Sequence, residues 1–251
     1  MKYNRLQIME DYIRSHKSVT NKELLEHFDV SIQTLRRDLN YLDRKGVITK
    51  QYGGVLIKED PSIKTGVEPL FSRIDSNADA KDKVARLAAR YVQDNDVIFI
   101  DSGTTVYRIL NYLGDVRNLT VITYCLDALN LLNKMPNITA VCPGGVLSVG
   151  AGVLLADTNL YNYNYNKAFI STVGVSLRRQ LTNTSLQEGT LKHHMIKHAS
   201  KVFVLADHSK FDVIAFNHFA NFSEIDKLIT DTKPSEEYIS TFEGSQVEII
   251  Y

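Results

Sequence analysis

Short polar segments follow several apolar runs of this sequence, and their residue types suit the binding of an anionic, hydroxylated small molecule. The first, Asp101-Ser102-Gly103-Thr104-Thr105, comes after the apolar run Val97–Ile100. Its glycine lets the backbone approach a ligand, its hydroxyls can donate hydrogen bonds, and the N-terminus of the helix that follows favours an anion. It is not a Walker A loop, because it lacks the lysine of that motif.

Comparable segments follow three further apolar runs, and they are Thr123-Tyr124, Cys142-Pro143-Gly144-Gly145 and Ala206-Asp207-His208-Ser209-Lys210. Apolar runs that alternate with helical stretches predict a parallel sheet covered on both faces, which binds ligands at the carboxyl ends of its strands. Amides and hydroxyls for a phosphate, one lysine and two aspartates favour a phosphorylated sugar or polyol. The Asp101 segment alone is equally explained by an N-cap and tight turn, and Asp207 with Lys210 alone is explained by a surface ion pair.

A second group of polar residues lies near the N-terminus, on one face of a predicted helix. Ser31 suits the N-cap of this helix, and its apolar face has the 3.6-residue period of Ile32, Leu35, Leu39 and Leu42. The opposite face, with its flanks, carries Gln33, Thr34, Arg36, Arg37, Asn40 and Arg44. Guanidinium and amide groups pair with phosphates and base edges, and the one carboxylate, Asp38, lies at the edge of this face. The pattern predicts a DNA recognition helix; a solvated helix face is the alternative.

The elements around this helix complete a small DNA-binding domain. Leu6, Met9 and Ile13 indicate a first helix, and Thr20 with Glu23 forms a capping box that opens a second. Gly46 ends the third helix. A strand over 47–52, a tight turn at Gly53-Gly54 and a return strand over 55–57 then predict a hairpin wing, with Tyr52 and Gly53 as DNA contacts.

The composition describes a soluble globular protein with an uneven charge distribution. The 251 residues are 44% apolar and 23% charged with zero net charge, which excludes a long disordered tail and a collagen-like chain. Residues 1–57 hold ten Lys and Arg against seven Asp and Glu, so this segment is basic and the remainder of the chain is acidic. This split favours an anionic partner for the N-terminal segment.

Neither a membrane span nor a secretory signal is visible in the sequence. No apolar run reaches the ~18 residues that a bilayer requires, and Met1–Glu10 lacks an apolar signal region. Cys125 and Cys142 form no C-x-x-C pair and are expected to be reduced thiols, which predicts a cytoplasmic protein. His194 and His198 have metal-ligand spacing, but no third ligand is obvious, so neither metal nor cofactor is expected.

The N-terminal pieces resemble the DeoR family of bacterial transcriptional regulators, through the run Ser31-x-x-Thr34-x-Arg36-Arg37-Asp38-Leu39 and the Gly-Gly wing. The resemblance continues through Asp-Ser-Gly-Thr-Thr, Pro-Gly-Gly and Ala-Asp-His-Ser-Lys-Phe, and so covers nearly the whole chain. It implies a winged helix-turn-helix whose DNA contacts are Ser31, Gln33, Thr34, Arg36 and Arg37. It also implies a sugar-phosphate sensor with a fold similar to ribose-5-phosphate isomerases, its effector site lined by Asp101, Gly103, Thr104, Thr105, Gly145, Glu188, Asp207 and Lys210.

The expected fold class is therefore α/β, with a DNA-binding domain over 1–57, a linker over 58–75 and a doubly wound, mostly parallel effector domain over 76–251. Two departures from the family leave the ligand open: Tyr124, which can narrow the pocket or stack on a sugar, and Arg179-Gln180 where a glycine is common.

The predicted function is a repressor of a carbohydrate-metabolism operon, acting as a homodimer or homotetramer on double-stranded operator DNA and released by a phosphorylated sugar. One alternative is a sugar-phosphate isomerase or aldolase with an accessory DNA-binding domain, in which Asp207 and Lys210 move protons. Another is an architectural DNA-binding protein that ignores small molecules.

Overall fold

A computed structural model describes residues 2–44, 47–57, 63–66, 70–155 and 163–251. The chain divides into two compact units, Met1–Ser62 and Ile63–Tyr251. The predicted helix end at Gly46 and the first part of the predicted linker, 58–62, lie outside the described residues. The described remainder of that linker belongs to the second unit, where it includes a short helix.

The first unit combines three helices with a three-stranded antiparallel sheet. Its helices are α1 (Lys2–His16), α2 (Asn21–Phe28) and α3 (Ile32–Arg44), and its strands are β1 (Ser18–Thr20), β2 (Ile48–Gln51) and β3 (Gly54–Ile57). The strand order is β1-β3-β2. This is the predicted winged helix-turn-helix, extended by β1, for which the sequence carries no strand signal.

Local sequence signals correctly predict where α2 and α3 begin. Glu23 N donates to Thr20 Oγ1 at 3.2 Å and Thr20 N donates to Glu23 Oε2 at 2.7 Å, which confirms the capping box at the start of α2. Thr34 N donates to Ser31 Oγ at 3.2 Å, so Ser31 caps α3 as predicted. The predicted apolar faces of α1 and α3 meet in one core, which includes Leu6, Met9, Ile13, Leu35, Leu39 and Leu42.

Two residues of α3 lie elsewhere than predicted. Ile32 is 52% exposed, because it occupies the first turn of α3 and the core begins one turn later at Leu35. Asp38 is 1% exposed and lies on the core side of α3, not at the edge of the polar face. Arg5 of α1 donates to it at 2.9 Å through Nε, so this carboxylate joins two helices.

The hairpin turn of the wing is Tyr52-Gly53, one residue earlier than predicted. Gly53 takes the positive φ of +80° that the turn requires. Gly54 is already in β3, where it pairs with both Thr20 and Gln51. A Cβ on Gly54 would lie 2.6 Å from Val19 O, so this glycine permits the close approach of β1 and β3.

The second unit is built on a seven-stranded parallel sheet with the order β15-β14-β12-β9-β4-β5-β6. These strands are β4 (Val97–Ile100), β5 (Leu119–Thr123), β6 (Ile138–Val141), β9 (Tyr165–Ser171), β12 (Ala199–Leu205), β14 (Lys227–Ile229) and β15 (Glu248–Ile250). The smaller strands are β7 (Val146–Ser148), β8 (Val153–Leu155), β10 (Gly174–Ser176), β11 (Gln180–Asn183) and β13 (Asn217–Ala220). The small strands form an antiparallel hairpin, β7-β8, and an antiparallel sheet, β10-β11-β13.

Helices cover both faces of the parallel sheet, as predicted. The helices of this unit are α4 (Leu70–Ile74), α5 (Ala78–Ala89), α6 (Leu126–Leu132), α7 (Leu186–Lys197) and α8 (Glu236–Phe242). Successive side chains of β4 enter opposite cores: Ile98 and Ile100 pack on the α5 and α6 side, whereas Phe99 packs on the α7 and α8 side. The predicted helix over 106–112 is a 3-10 helix, Tyr107–Tyr112.

The strand order reverses between β4 and β9. From β4 the chain continues outward through β5 and β6, and it then returns to the other side of β4 as β9 before it continues through β12, β14 and β15. The reversal leaves a crevice at the carboxyl ends of β4 and β9, where open sheets bind ligands.

Candidate functional site

The polar face of α3 is open to solvent. Its exposed or half-buried members are Gln33, Thr34, Arg36, Arg37, Asn40 and Arg44. Neither Arg36 nor Arg37 is paired with any residue in the described part of the chain. Two unpaired guanidinium groups one residue apart on an exposed helix suit phosphate oxygens and guanine edges.

Lys50 of the wing orients the side chain of Asn40 on α3. Lys50 of β2 donates to Asn40 Oδ1 at 2.8 Å and pairs with Asp43 at 3.1 Å. Because its oxygen is engaged, Asn40 presents its amide N–H groups to an acceptor. At the tip of the wing the side chain of Tyr52 is fully exposed beside Gly53. The face of α3 and the wing tip together form what we call the reading surface.

A cleft opens at the crevice between β4 and β9. The loop after β4 contributes Ser102, Gly103, Thr104 and Thr105, and the end of β9 contributes Ser171, Thr172 and Val173. The β11 end and the first turn of α7 contribute Asn183, Thr184 and Glu188. The segment before α5 adds Lys64, Gly66, Arg73 and Ser76, and the remaining wall includes Lys81, Leu205 and Lys210.

The cleft carries an excess of positive charge. Among its described lining residues, Lys64, Arg73, Lys81 and Lys210 are basic, and Glu188 is the one carboxylate. Lys81 is buried and donates to the backbone oxygen of Arg73. Burial lowers the pKa of Lys81, and the neighbouring cations lower it further, although Asp207 acts in the opposite direction. A bound anion would relieve this repulsion.

A buried polar cluster lies behind the cleft and is centred on Asp101. Its Oδ2 accepts hydrogen bonds from Ser171 N and Ser171 Oγ, both at 2.7 Å, and an ion-paired hydrogen bond from Lys192. Its Oδ1 accepts a hydrogen bond from the hydroxyl of Tyr124. Burial and the Asp101 carboxylate raise the pKa of Tyr124 well above its usual value, which keeps the hydroxyl protonated as a donor. The cluster therefore ties β4, β5, β9 and α7 together.

Two family models match this chain. One, described as a DeoR-like helix-turn-helix domain, matches residues 5–60, and the other, described as a DeoR C terminal sensor domain, matches residues 76–232. HTH-type transcriptional regulator IolR of Bacillus subtilis (strain 168) is 38% identical over 252 residues, which cover 99% of each chain. The chain belongs to the DeoR family of transcriptional regulators.

A second relative of this DeoR-family regulator is HTH-type transcriptional repressor GlcR of Bacillus subtilis (strain 168). It is 30% identical over 249 residues, which cover 98% of this chain and 95% of GlcR. Among solved structures, ribose 5-phosphate isomerase A from Methanocaldococcus jannaschii matches at 23% identity with a TM-score of 0.41. That match covers 54% of this chain and 55% of the isomerase.

Half of the predicted effector contacts lie in the cleft of this DeoR-family regulator. They are Ser102, Gly103, Thr104, Thr105, Glu188 and Lys210. Gly103 has a further role, because a Cβ there would lie 2.6 Å from the Cβ of Ser171. The missing side chain thus lets the loop after β4 pack against β9, and not only against a ligand.

The other half do not line the cleft, for reasons of strand order and burial. Thr123 ends β5 and Tyr124 follows it, one strand away from the crevice, and Gly144 and Gly145 follow the edge strand β6, two strands away. Tyr124 is fully buried and stacks on Phe99, so its ring is not exposed in the cleft.

The two predicted sugar-binding aspartates are also fully buried. The carboxylate oxygens of Asp101 are occupied by the cluster described above, so the assignment of Asp101 as a ligand contact does not fit its surroundings. Asp207 caps the 3-10 turn His208–Lys210 by accepting from Ser209 N at 3.0 Å. Asp207 therefore shapes the loop that carries Lys210.

Several lining residues have no signal in the sequence. Lys64, Gly66 and Arg73 come from the predicted linker, and Ser171 and Asn183 come from strand ends without a glycine-rich or charged motif. The strand order, which places β9 beside β4, brings Ser171 to the cleft. No group of three His, Cys, Asp or Glu side chains suited to a metal occurs among the described residues. No helix in that part of the chain is long and apolar enough to cross a bilayer.

Proposed function

We propose that this DeoR-family regulator is a repressor of a carbohydrate-metabolism operon and that a phosphorylated sugar releases it from operator DNA. The observation that carries the ligand class is the cleft, in which basic side chains and hydroxyl groups lie side by side. Cations neutralise a phosphate, and the hydroxyl groups of Thr104 and Thr105 donate to its oxygens. Asn183 and Glu188 offer a donor and an acceptor for sugar hydroxyls.

The reading surface is the proposed DNA contact. Ser31, Thr34 and the exposed side chains of α3 would enter the major groove, and Tyr52 and Gly53 of the wing would contact the adjacent backbone. One recognition helix reads a half-site only, so the proposal includes a two-fold homodimer or a homotetramer on half-sites ~34 Å apart or a multiple of that distance. A ligand that binds better to one arrangement of the protein would shift the population away from the DNA-competent arrangement.

Regulation fits the cleft better than catalysis does. The enzyme alternative needs Asp207 and Lys210 as a proton-transfer pair beside the substrate, but Asp207 is buried and does not line the cleft. The curated relatives named above are regulators of transcription.

Thermal unfolding of the full-length protein against a panel of sugar phosphates tests the ligand class. A true ligand at 100 times its Kd stabilises the folded state by about 2.7 kcal/mol, so the melting temperature should rise. The unphosphorylated sugars serve as controls and should give no shift. Lys210→Ala should reduce the shift, whereas Lys201→Ala, which removes a lysine outside the cleft, should not. A panel without any shift, or equal shifts with unphosphorylated sugars, would contradict the proposed ligand class.

A further inference from the structure

One wall of the cleft belongs to the segment that leads from the first unit into the second. Residues 63–66 and 70–76, which we call the entry segment, contribute Lys64, Gly66, Arg73 and Ser76 to the lining. The opposite wall comes from the parallel sheet and α7. A ligand in the cleft therefore touches both the sensor and the stretch of chain next to the DNA-binding unit.

The backbone of the entry segment is fastened to the second unit. Lys64 N donates to Ile214 O and Phe216 N donates to Lys64 O, both at 2.9 Å. Arg108 donates to Ile74 O at 3.0 Å and to Thr104 O at 2.9 Å, so one guanidinium joins the entry segment to the loop after β4. Lys81 holds the carbonyl of Arg73.

Two donors in the cleft, one on each wall, lack partners. The Nε of Arg73, on the entry segment, is buried without a hydrogen-bond partner among the described residues. The Nδ2 of Asn183, at the end of β11, is in the same situation, and its side chain is 3% exposed. Buried donors in native proteins nearly always have an acceptor. Both side chains line the cleft, where oxygen atoms of a ligand would supply the missing acceptors.

We propose that an anionic ligand in the cleft clamps the entry segment onto the sheet, and that Arg73 is the residue through which the clamp acts. The ligand bridges Arg73 on one wall to Asn183 and the loop after β4 on the other. Occupancy of the cleft is thereby converted into a change in the chain that leads to the DNA-binding unit. This inference rests on the proposed function, because it names how the same cleft is coupled to DNA binding.

Two variants distinguish the clamp from ligand binding alone. Each of them removes one cation from the cleft. Arg73→Ala alters the entry segment and keeps the backbone oxygen that accepts from Lys81, whereas Lys210→Ala alters the loop after β12. Operator Kd is measured without ligand and with the panel's strongest sugar phosphate, added until the thermal shift reaches its plateau. Coupling between two sites is typically 5- to about 150-fold. At saturation, Lys210→Ala should show the same ligand-induced change in operator Kd as the wild type. Arg73→Ala should show almost no ligand-induced change in operator Kd, and Arg73→Lys should partly restore this change.

Hydrogen exchange of the wild-type protein gives a second readout that needs neither the variant nor the operator. Inorganic phosphate, compared with chloride at equal ionic strength, should slow exchange of backbone amides in 63–66 and 70–76. Full operator release by Arg73→Ala at saturation overturns the clamp, and so does unchanged exchange in the entry segment. If no sugar phosphate releases the wild type while phosphate still protects this segment, the proposed effector is wrong and the anion clamp stands.

Discussion

The carboxylate of Asp101 and the ammonium group of Lys192 form an ion pair in which both side chains are almost completely buried, although 91 residues separate them in the sequence. The pair joins the carboxyl end of β4 to α7, directly behind the cleft. Asp101 therefore supports the cleft wall, whereas its position in Asp-Ser-Gly-Thr-Thr favours the interpretation as a ligand contact.

Removing one partner of this pair should destabilise the sensor strongly. Lys192→Met leaves the Asp101 carboxylate buried and uncompensated, which costs about 3–5 kcal/mol. The pair of the exposed Lys197 with the half-buried Glu224 is the control, since Lys197→Met should cost about 1 kcal/mol or less. Urea unfolding of the full-length variants measures both losses. The double variant Asp101→Asn with Lys192→Met should recover part of the lost stability. Equal small losses at Lys192 and Lys197 would show that the buried pair does not support the fold.

The strands of the parallel sheet and most buried positions could be predicted from the sequence because their signals are local. The capping box of Thr20 and Glu23 spans four residues, and the apolar run Val97–Ile100 is a strand with the predicted bounds. The polar partners could not be predicted, because strand order and helix packing decide them. Asp38 has the spacing of an edge residue, but it lies on the core side of α3, where it forms an ion pair with Arg5.

The residues that line the cleft could be predicted only in part, for the same reason. The sequence indicates that polar segments follow parallel strands, but not which strands are neighbours. Since β9 lies beside β4, Ser171 reaches Asp101 while Gly145 stays two strands away. The sequence does not indicate the basic wall from the entry segment, because Lys64 and Arg73 lie in a stretch without periodicity.

Gly54 should tolerate alanine less well than Gly53 does. A Cβ on Gly53 meets nothing within 4 Å, so Gly53→Ala costs only the left-handed backbone conformation, about 1–2 kcal/mol. A Cβ on Gly54 would lie 2.6 Å from Val19 O and must push β3 away from β1. Urea unfolding of the first unit should therefore show a larger loss of unfolding free energy for Gly54→Ala than for Gly53→Ala. A smaller loss at Gly54 than at Gly53 would contradict this close strand contact.

The two cysteines should differ sharply in reactivity. Burial raises the pKa of Cys125 to about 11, so at pH 8 only about 0.1% of this thiol is ionised. Cys142 is exposed. Ellman's reagent should titrate one thiol quickly in the folded protein and the second only after unfolding, and Cys142→Ser should abolish the fast phase. A fast phase that survives in Cys142→Ser would mean that Cys125 is accessible.

Arg37 should contribute to sequence-specific DNA binding. Its guanidinium is exposed and unpaired within the described residues, so Arg37→Ala should weaken binding to an operator selected from a random pool by ~1–3 kcal/mol if Arg37 pairs with a base. Arg14→Ala is the control, because Arg14 is already paired with Glu10 within α1. Fluorescence anisotropy with the selected operator and with a scrambled fragment separates specific from non-specific affinity. No loss for Arg37→Ala would remove it from the reading surface.

The central claim is that one chain reads DNA with α3 and is released from it by a phosphorylated sugar bound in the cleft. The most direct measurement is the operator Kd of the full-length protein, by anisotropy, with and without saturating sugar phosphate and with the matching unphosphorylated sugar. We expect operator affinity to be at least about fivefold weaker with the phosphorylated sugar and unchanged with its unphosphorylated counterpart. An operator affinity that no sugar phosphate alters, or that both forms of the sugar alter equally, would contradict it.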